Sequence, residues 1–201
     1  MLESITNNLE NLGETINETS EFVSLTEICG FEGCELINNE QLANYLSETI
    51  PPSHFEGCPS IKFDPHHTHF IEVPNSLGFY VLGSNDIHIA EESRFSDGVE
   101  GIVDTVIHEI GHNAYYDIVE YNPELNSQWE KLNFESLLKN LIEGTGFVSD
   151  YAMTDKYEDF AESYNIYVRD PELLQFMNSD KYEFLRDYVF SGREYPPSGL
   201  T

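Results

Sequence analysis

Basic residues are scarce in this sequence of 201 residues. It contains nine Lys and Arg residues against 37 Asp and Glu residues, which gives a formal net charge of −28 at pH 7. A surface with this charge repels phosphate backbones and anionic membranes at long range. We therefore expect neither nucleic-acid binding nor membrane binding. Solubility in a salty medium explains the acidity more simply than a recognition role does.

Cysteines and long apolar runs are also scarce. The three cysteines, Cys29, Cys34 and Cys58, are too few and odd in number for a disulfide framework. We expect buried free thiols, with a structural zinc site on these cysteines and His66 as the weaker alternative. No stretch approaches the roughly 18 uncharged apolar residues of a membrane span. The N-terminus also lacks the regions of a signal peptide, so we expect a cytoplasmic protein, or a secreted one if the sequence has been trimmed.

Aromatic residues, in contrast, are abundant: 13 Phe, 12 Tyr and one Trp exclude a disordered acidic chain. The length is that of a single domain, 1–201. Apolar spacing predicts helices over residues 2–16, 39–49, 99–116, 123–143, 155–168 (with Thr154 as the N-cap) and a last helical region from Pro171 to before Gly192. Short strands are predicted at residues 60–63, 70–73, 78–82 and 87–90. Strands followed by long helices predict an α+β fold, with residues 1–60 as an N-terminal extension and 61–201 as the core.

The strongest chemical signal is the run His108-Glu109-Ile-Gly-His112 in the predicted helix 99–116. Histidines four residues apart lie on one face of a helix, so both imidazoles can bind a single metal ion. Glu109 then lies beside the metal without binding it. An exposed helix face with two unrelated histidines is the alternative, but the apolar flanks bury this helix and buried histidines need partners. Tyr115 and Tyr116, further along the helix, are expected in the core.

A catalytic zinc ion needs a third protein ligand and one open coordination position. Glu158 and Glu162 are four residues apart in the predicted helix 155–168, so they share one face. Two carboxylates on a half-buried face need a cation or hydrogen-bond donors. The alternative is that both are solvated. The spacing predicts one further zinc ligand here, and it leaves open which glutamate that is.

Together, His108-Glu109-Ile-Gly-His112 and Tyr151-(x6)-Glu158-Asp-Phe-Ala-Glu162 resemble the catalytic domain of the anthrax lethal factor-like zinc metallopeptidases, a group that includes the Pro-Pro endopeptidases. The resemblance covers about residues 77–170. It implies a zincin-like domain, in which a small mixed sheet accompanies a long active-site helix and a C-terminal helical subdomain. It further implies the site: His108, His112 and Glu158 bind one Zn²⁺, Glu109 is the general base, Tyr151 stabilises the transition state, and Glu162 supports His108.

The sequence therefore predicts a monomeric, zinc-dependent metalloendopeptidase that acts on a peptide or protein. We expect the substrate to add as an extended strand to a sheet edge formed by residues 78–82 or 87–90. Two other classes remain open. One is a catalytically inactive zinc-binding regulator, against which the intact Glu109 argues. The other is an acidic α+β interaction module without a catalytic metal.

A second group of histidines, His66, His67 and His69, follows Asp64-Pro65. These residues could chelate a second metal ion, but an exposed polar turn between strands is the favoured interpretation. His88 alternates with isoleucines in the predicted strand 87–90. Its side chain should therefore face away from the core, toward the cleft.

Overall fold

A computed structural model of the chain describes residues 26–194, which form an α+β fold with a small mixed sheet. The predicted helix over residues 2–16 lies outside these residues. The strands are β1 (Glu27–Cys29), β2 (Ser60–Phe63), β3 (Gly78–Tyr80) and β4 (Ile87–Ile89). The helices are α1 (Asn39–Thr49), α2 (Thr68–Glu72), α3 (Val99–Ala114), α4 (Pro123–Glu143), α5 (Lys156–Arg169), α6 (Pro171–Met177) and α7 (Ser179–Phe184). Two π-helical segments, Tyr115–Glu120 and Leu185–Val189, continue α3 and α7.

The sheet has the strand order β1-β2-β4-β3. Strands β1, β2 and β4 are parallel, and β3 pairs antiparallel with β4. Among the described residues, strand β3 is therefore an edge strand, as predicted for one of the two candidate segments. The alternative prediction, that residues 87–90 form the edge, is wrong, because β4 lies between β2 and β3.

Helix α3 is the central helix and is buried along most of its length. It packs on strands β3 and β4 and on helix α5. Gly111 permits the close approach to α5, since a Cβ there would lie 3.1 Å from Ala161 Cα and 3.3 Å from Tyr164 Cβ. This contact brings residues 108–112 of α3 against the first turns of α5.

A buried ion pair anchors the start of α5. Lys181 Nζ lies 2.5 Å from Asp159 Oδ1, and both side chains are inaccessible to solvent. The amide of Asn133 in α4 donates to the other Asp159 oxygen at 3.0 Å. Glu158 directly precedes Asp159 in this helical turn. Its position is therefore fixed through the contacts of Asp159 with α4 and α7.

Several local predictions are confirmed. Helix α1 has the predicted bounds, and its Leu42, Tyr45 and Leu46 are buried. A capping box between Asn38 and Gln41 explains where it begins. Helix α4 also has the predicted bounds and ends at Gly144.

Other local predictions are wrong. Residues 70–73 were expected as a strand, but residues 68–72 form α2, because His67 Nδ1 accepts the His69 N–H at 3.1 Å and caps a helical turn. The N-cap of α5 is Asp155 and not Thr154, since the Asp155 carboxylate accepts two N–H groups of the first turn. Strand β1 is not among the predicted strands. None of the helices within residues 26–194 has the length and apolar character that a membrane crossing requires.

Candidate metal centre

Three side chains from α3 and α5 converge on one point. His108 Nε2 and His112 Nε2 lie 3.2 Å apart. Glu158 Oε2 lies 3.0 Å from the first nitrogen and 3.4 Å from the second. In a tetrahedral zinc site with bonds of about 2.0–2.1 Å, neighbouring ligand atoms are about 3.3 Å apart. The three atoms therefore occupy three corners of a tetrahedron of the size that zinc requires.

Glu162 contacts the other nitrogen of the first histidine. Its Oε1 lies 2.8 Å from His108 Nδ1. Its second oxygen accepts a hydrogen bond of 2.6 Å from the Ser149 hydroxyl, which in turn accepts the Ala152 N–H. A carboxylate on the second ring nitrogen is the usual support of a metal-binding histidine, because it fixes the tautomer and the ring orientation. The structure thus distinguishes two glutamates that are equivalent by spacing: Glu158 lies near both histidine Nε2 atoms, and Glu162 contacts His108 Nδ1.

The electrostatics of this cluster favour positive charge. Burial alone would lower the pKa of His108, but its hydrogen bonds with Glu158 and Glu162 outweigh burial and raise the pKa to about 10. Burial likewise opposes ionisation of Glu158, yet its contacts with His108 and His112 hold its pKa far below the usual value. The carboxylates of Glu158 and Glu162 thus give the site a negative potential, which stabilises a positive charge between them and the histidines.

Glu109 lies beside this cluster and is almost completely buried, with 5% of its surface exposed. Its carboxylate accepts the backbone N–H of Tyr80 in strand β3. Burial raises the pKa of Glu109 above its ordinary value, and the two neighbouring histidines oppose that rise. A carboxylate with a raised pKa is suited to accept and return a proton.

Tyr151 lies at the entrance of the site, in a 3₁₀ turn that precedes α5. Its ring centroid is 5.8 Å from that of His108, and 55% of the residue is exposed. Partial burial and the hydrogen bond with Glu158 both raise the pKa of the Tyr151 hydroxyl. The phenol therefore remains a hydrogen-bond donor at neutral pH.

These residues line a cleft of about 780 Å³ between β3 on one side and α3 and α5 on the other. Among the described residues that line it there is no Lys or Arg. Three stacked tyrosines form one wall: the ring of Tyr116 lies 5.8 Å from that of Tyr80 and 5.7 Å from that of Tyr157. Tyr116 was expected in the core, and that expectation is wrong. Its position four residues after His112 places it on the same side of the helix as that histidine, a signal that sequence reasoning missed.

The sequence also offered the cysteines and a second group of histidines as candidate metal ligands. The three cysteines are free thiols, as expected, but only Cys58 is buried, and Cys29 and Cys34 are partly exposed. Within residues 26–194 no cysteine belongs to a group that can hold a metal ion. Burial raises the pKa of Cys58 to about 12, so this thiol is unreactive at neutral pH. His66 lies in an exposed turn, as expected, but His67 caps α2 and His69 lies within it, and both are half-buried.

Comparison of this sequence with protein-family models and with curated proteins finds no match.

Proposed function

We propose that this protein is a zinc-dependent metalloendopeptidase with a zincin-like catalytic domain. The observation that carries the proposal is the tetrahedral spacing of the His108, His112 and Glu158 ligand atoms, with Glu109 buried beside them in an open cleft. The resemblance of the two sequence motifs to the lethal factor-like metallopeptidases is consistent with this assignment. His108, His112 and Glu158 would hold one Zn²⁺.

Bound zinc would lower the pKa of a water molecule toward about 7 and polarise a carbonyl group. Glu109 takes the proton of the attacking water and later delivers it to the leaving amine, so that the carboxylate is regenerated in each cycle. The hydroxyl of Tyr151 donates a hydrogen bond to the carbonyl oxygen as negative charge develops there. Glu162 keeps the His108 ring oriented throughout.

Strand β3 is suited to bind the substrate. Within the described sheet it pairs with β4 on one side, and its other edge lines the cleft. On this edge the Tyr80 N–H is already donated to Glu109, and the Gly78 carbonyl oxygen accepts the Ser76 hydroxyl at 2.7 Å. An extended peptide can add to the edge through the remaining backbone groups, and such bonds are independent of the peptide's sequence. We therefore propose that a peptide or protein segment binds in extended form beside residues 78–80, with its scissile bond near Glu109. A monomer is sufficient for this activity.

The proposal is tested with Glu109→Gln, which keeps the shape of the side chain and all three zinc ligands. We expect zinc content equal to that of the wild type and almost complete loss of peptide-library cleavage. Glu48→Gln, on the exposed face of α1, is the matched control and should cleave normally.

Cleavage by Glu109→Gln within tenfold of the wild-type rate would exclude the general-base role. A wild-type protein that binds zinc in the catalytic site but cleaves no peptide would instead indicate the inactive regulator. A wild-type protein without zinc there would indicate the interaction module.

A further inference from the structure

A second group of potential metal ligands lies on the face of the sheet that carries Phe79 and the buried His88 and that packs against α2. It consists of Asp64, His67 and His88, whose potential ligand atoms all lie within 4.8 Å of one another. His88 alternates in β4 with the buried Ile87 and Ile89, so its side chain points to the opposite face of the sheet. None of these three residues belongs to the proposed catalytic site.

The backbone holds the three residues in place from separate segments. The Asp64 N–H donates to the Ile89 carbonyl oxygen at 3.0 Å, and the His67 N–H donates to the Asp64 carbonyl oxygen at 3.0 Å. Asp64 Oδ2 then lies 3.3 Å from His88 Nδ1. This separation matches the spacing of about 3.3 Å between neighbouring ligands of a tetrahedral zinc ion. The His67 ring lies beside the His88 ring, with 4.6 Å between their centroids.

We propose that Asp64, His67 and His88 form a second zinc site. Two imidazoles and one carboxylate are a donor set that zinc accepts, and the half-exposed Asp64 leaves a position for water. The His67 Nδ1 atom already accepts the His69 N–H, which leaves Nε2 to bind a cation while the cap of α2 stays in place. The Asp64 side chain is 38% exposed and that of Glu158 only 19%, so solvent screens Asp64 more and the second site should bind zinc more weakly than the catalytic site.

The second site also adjoins the substrate-binding edge. The ring of Phe79 in β3 stacks on that of His88 at 4.8 Å with an interplanar angle of 5°. Phe79 also lines the catalytic cleft. A cation bound by His88 would therefore lie next to the Phe79 side chain of the edge strand. Its role would be structural, since it would fix the segment that leads into the cleft.

The experiment counts zinc bound to the full-length chain after chelator treatment and titration with Zn²⁺ alone. Wild-type protein should bind two equivalents, and Glu158→Ala should bind only the weaker one. Adding His67→Gln or Asp64→Asn to Glu158→Ala should abolish the remaining equivalent. Adding His66→Gln, which changes an exposed histidine outside the group, should retain it. Circular dichroism of each variant verifies that the fold is intact.

The proposal is overturned if Glu158→Ala binds no zinc, or if its remaining zinc survives both His67→Gln and Asp64→Asn. The inference does not depend on the proposed function, and the two can fail separately. One equivalent that is lost in Glu158→Ala and kept in His67→Gln contradicts the second site alone. One equivalent that is lost in His67→Gln and kept in Glu158→Ala supports the second site and contradicts the catalytic one.

Discussion

Gly78 of the edge strand lies directly against Glu109 of the central helix. A Cβ atom at position 78 would be 3.0 Å from Glu109 Oε1 and 2.7 Å from Thr105 Cγ2. Strand β3 can therefore lie over α3 at this point because residue 78 has no side chain. The same strand supplies the Tyr80 N–H to the Glu109 carboxylate. The position of the proposed base thus depends on the strand that we propose binds the substrate.

Gly78→Ala should lower kcat/KM by about 10–100-fold, because the added methyl group must displace either the strand or the Glu109 carboxylate. Zinc content should not change, since none of the three proposed ligands is among the nearest atoms to the new methyl group. Peptide cleavage and metal analysis measure the two effects separately. Gly33→Ala, where the methyl group meets nothing within 4 Å, is the control. Wild-type activity of Gly78→Ala would contradict the proposal that the position of Glu109 depends on strand β3.

Replacing Glu158 and replacing Glu162 should affect zinc binding and activity to different extents. Glu158→Ala removes an atom that lies near both histidine Nε2 atoms, so catalytic zinc and activity should be lost together. Glu162→Gln changes only the support of His108 Nδ1, which should weaken zinc affinity or activity by about 10–100-fold. Competition with a chelator of known affinity measures the difference. The two assignments would be reversed if catalytic zinc survived Glu158→Ala and was lost in Glu162→Ala.

Tyr151→Phe should reduce kcat by about 10²–10³-fold with little change in KM or zinc content, because it removes one donor to the developing negative charge. Steady-state kinetics with a peptide that the wild type cleaves measures kcat and KM separately. Tyr121→Phe removes a hydroxyl from another exposed tyrosine, which is 80% exposed, and should be silent. Loss of zinc from Tyr151→Phe would show instead that the phenol has a structural role.

Acid should destabilise the fold through His54. This residue is 1% exposed, and its ring contacts the Tyr164 hydroxyl at 2.7 Å and the Val189 carbonyl oxygen at 3.0 Å. Burial lowers its pKa from 6.5 to about 4. Below pH 6.5 the unfolded chain therefore binds a proton that the folded chain rejects, so stability is full above pH 6.5 and falls toward pH 4. The expected loss by pH 4.5 is on the order of 2–3 kcal/mol.

The contribution of His54 is measured by urea unfolding at pH 7.5 and pH 4.5 in the wild type and in His54→Gln. Carboxylates and the proposed zinc ligands titrate in both proteins, so their effects cancel in the comparison. The wild type should lose more free energy of unfolding between the two pH values than the variant does. Equal losses would show that His54 is not the group responsible.

Local sequence patterns predicted much of the helical structure. The bounds of α1 and α4 follow from apolar spacing, the Asn38 cap and Gly144, all of which act within a few residues of each helix end. The pairing of His108 with His112 likewise follows from helical geometry, since residues four apart share a face. These features could be predicted because both partners lie within one or two turns of the same helix.

The tertiary structure decided what depends on contacts between distant segments. The order of the strands, and hence which strand is the edge, depends on pairings such as Glu27 with Ser60, which no local pattern encodes. The same holds for Glu162, whose partner His108 lies 54 residues away in sequence. A stretch such as 70–73 is apolar enough for either a strand or a helix, and the cap from His67 selects the helix. Side chains that are equivalent by spacing become different when a second element packs against them, because burial and hydrogen bonding act through space.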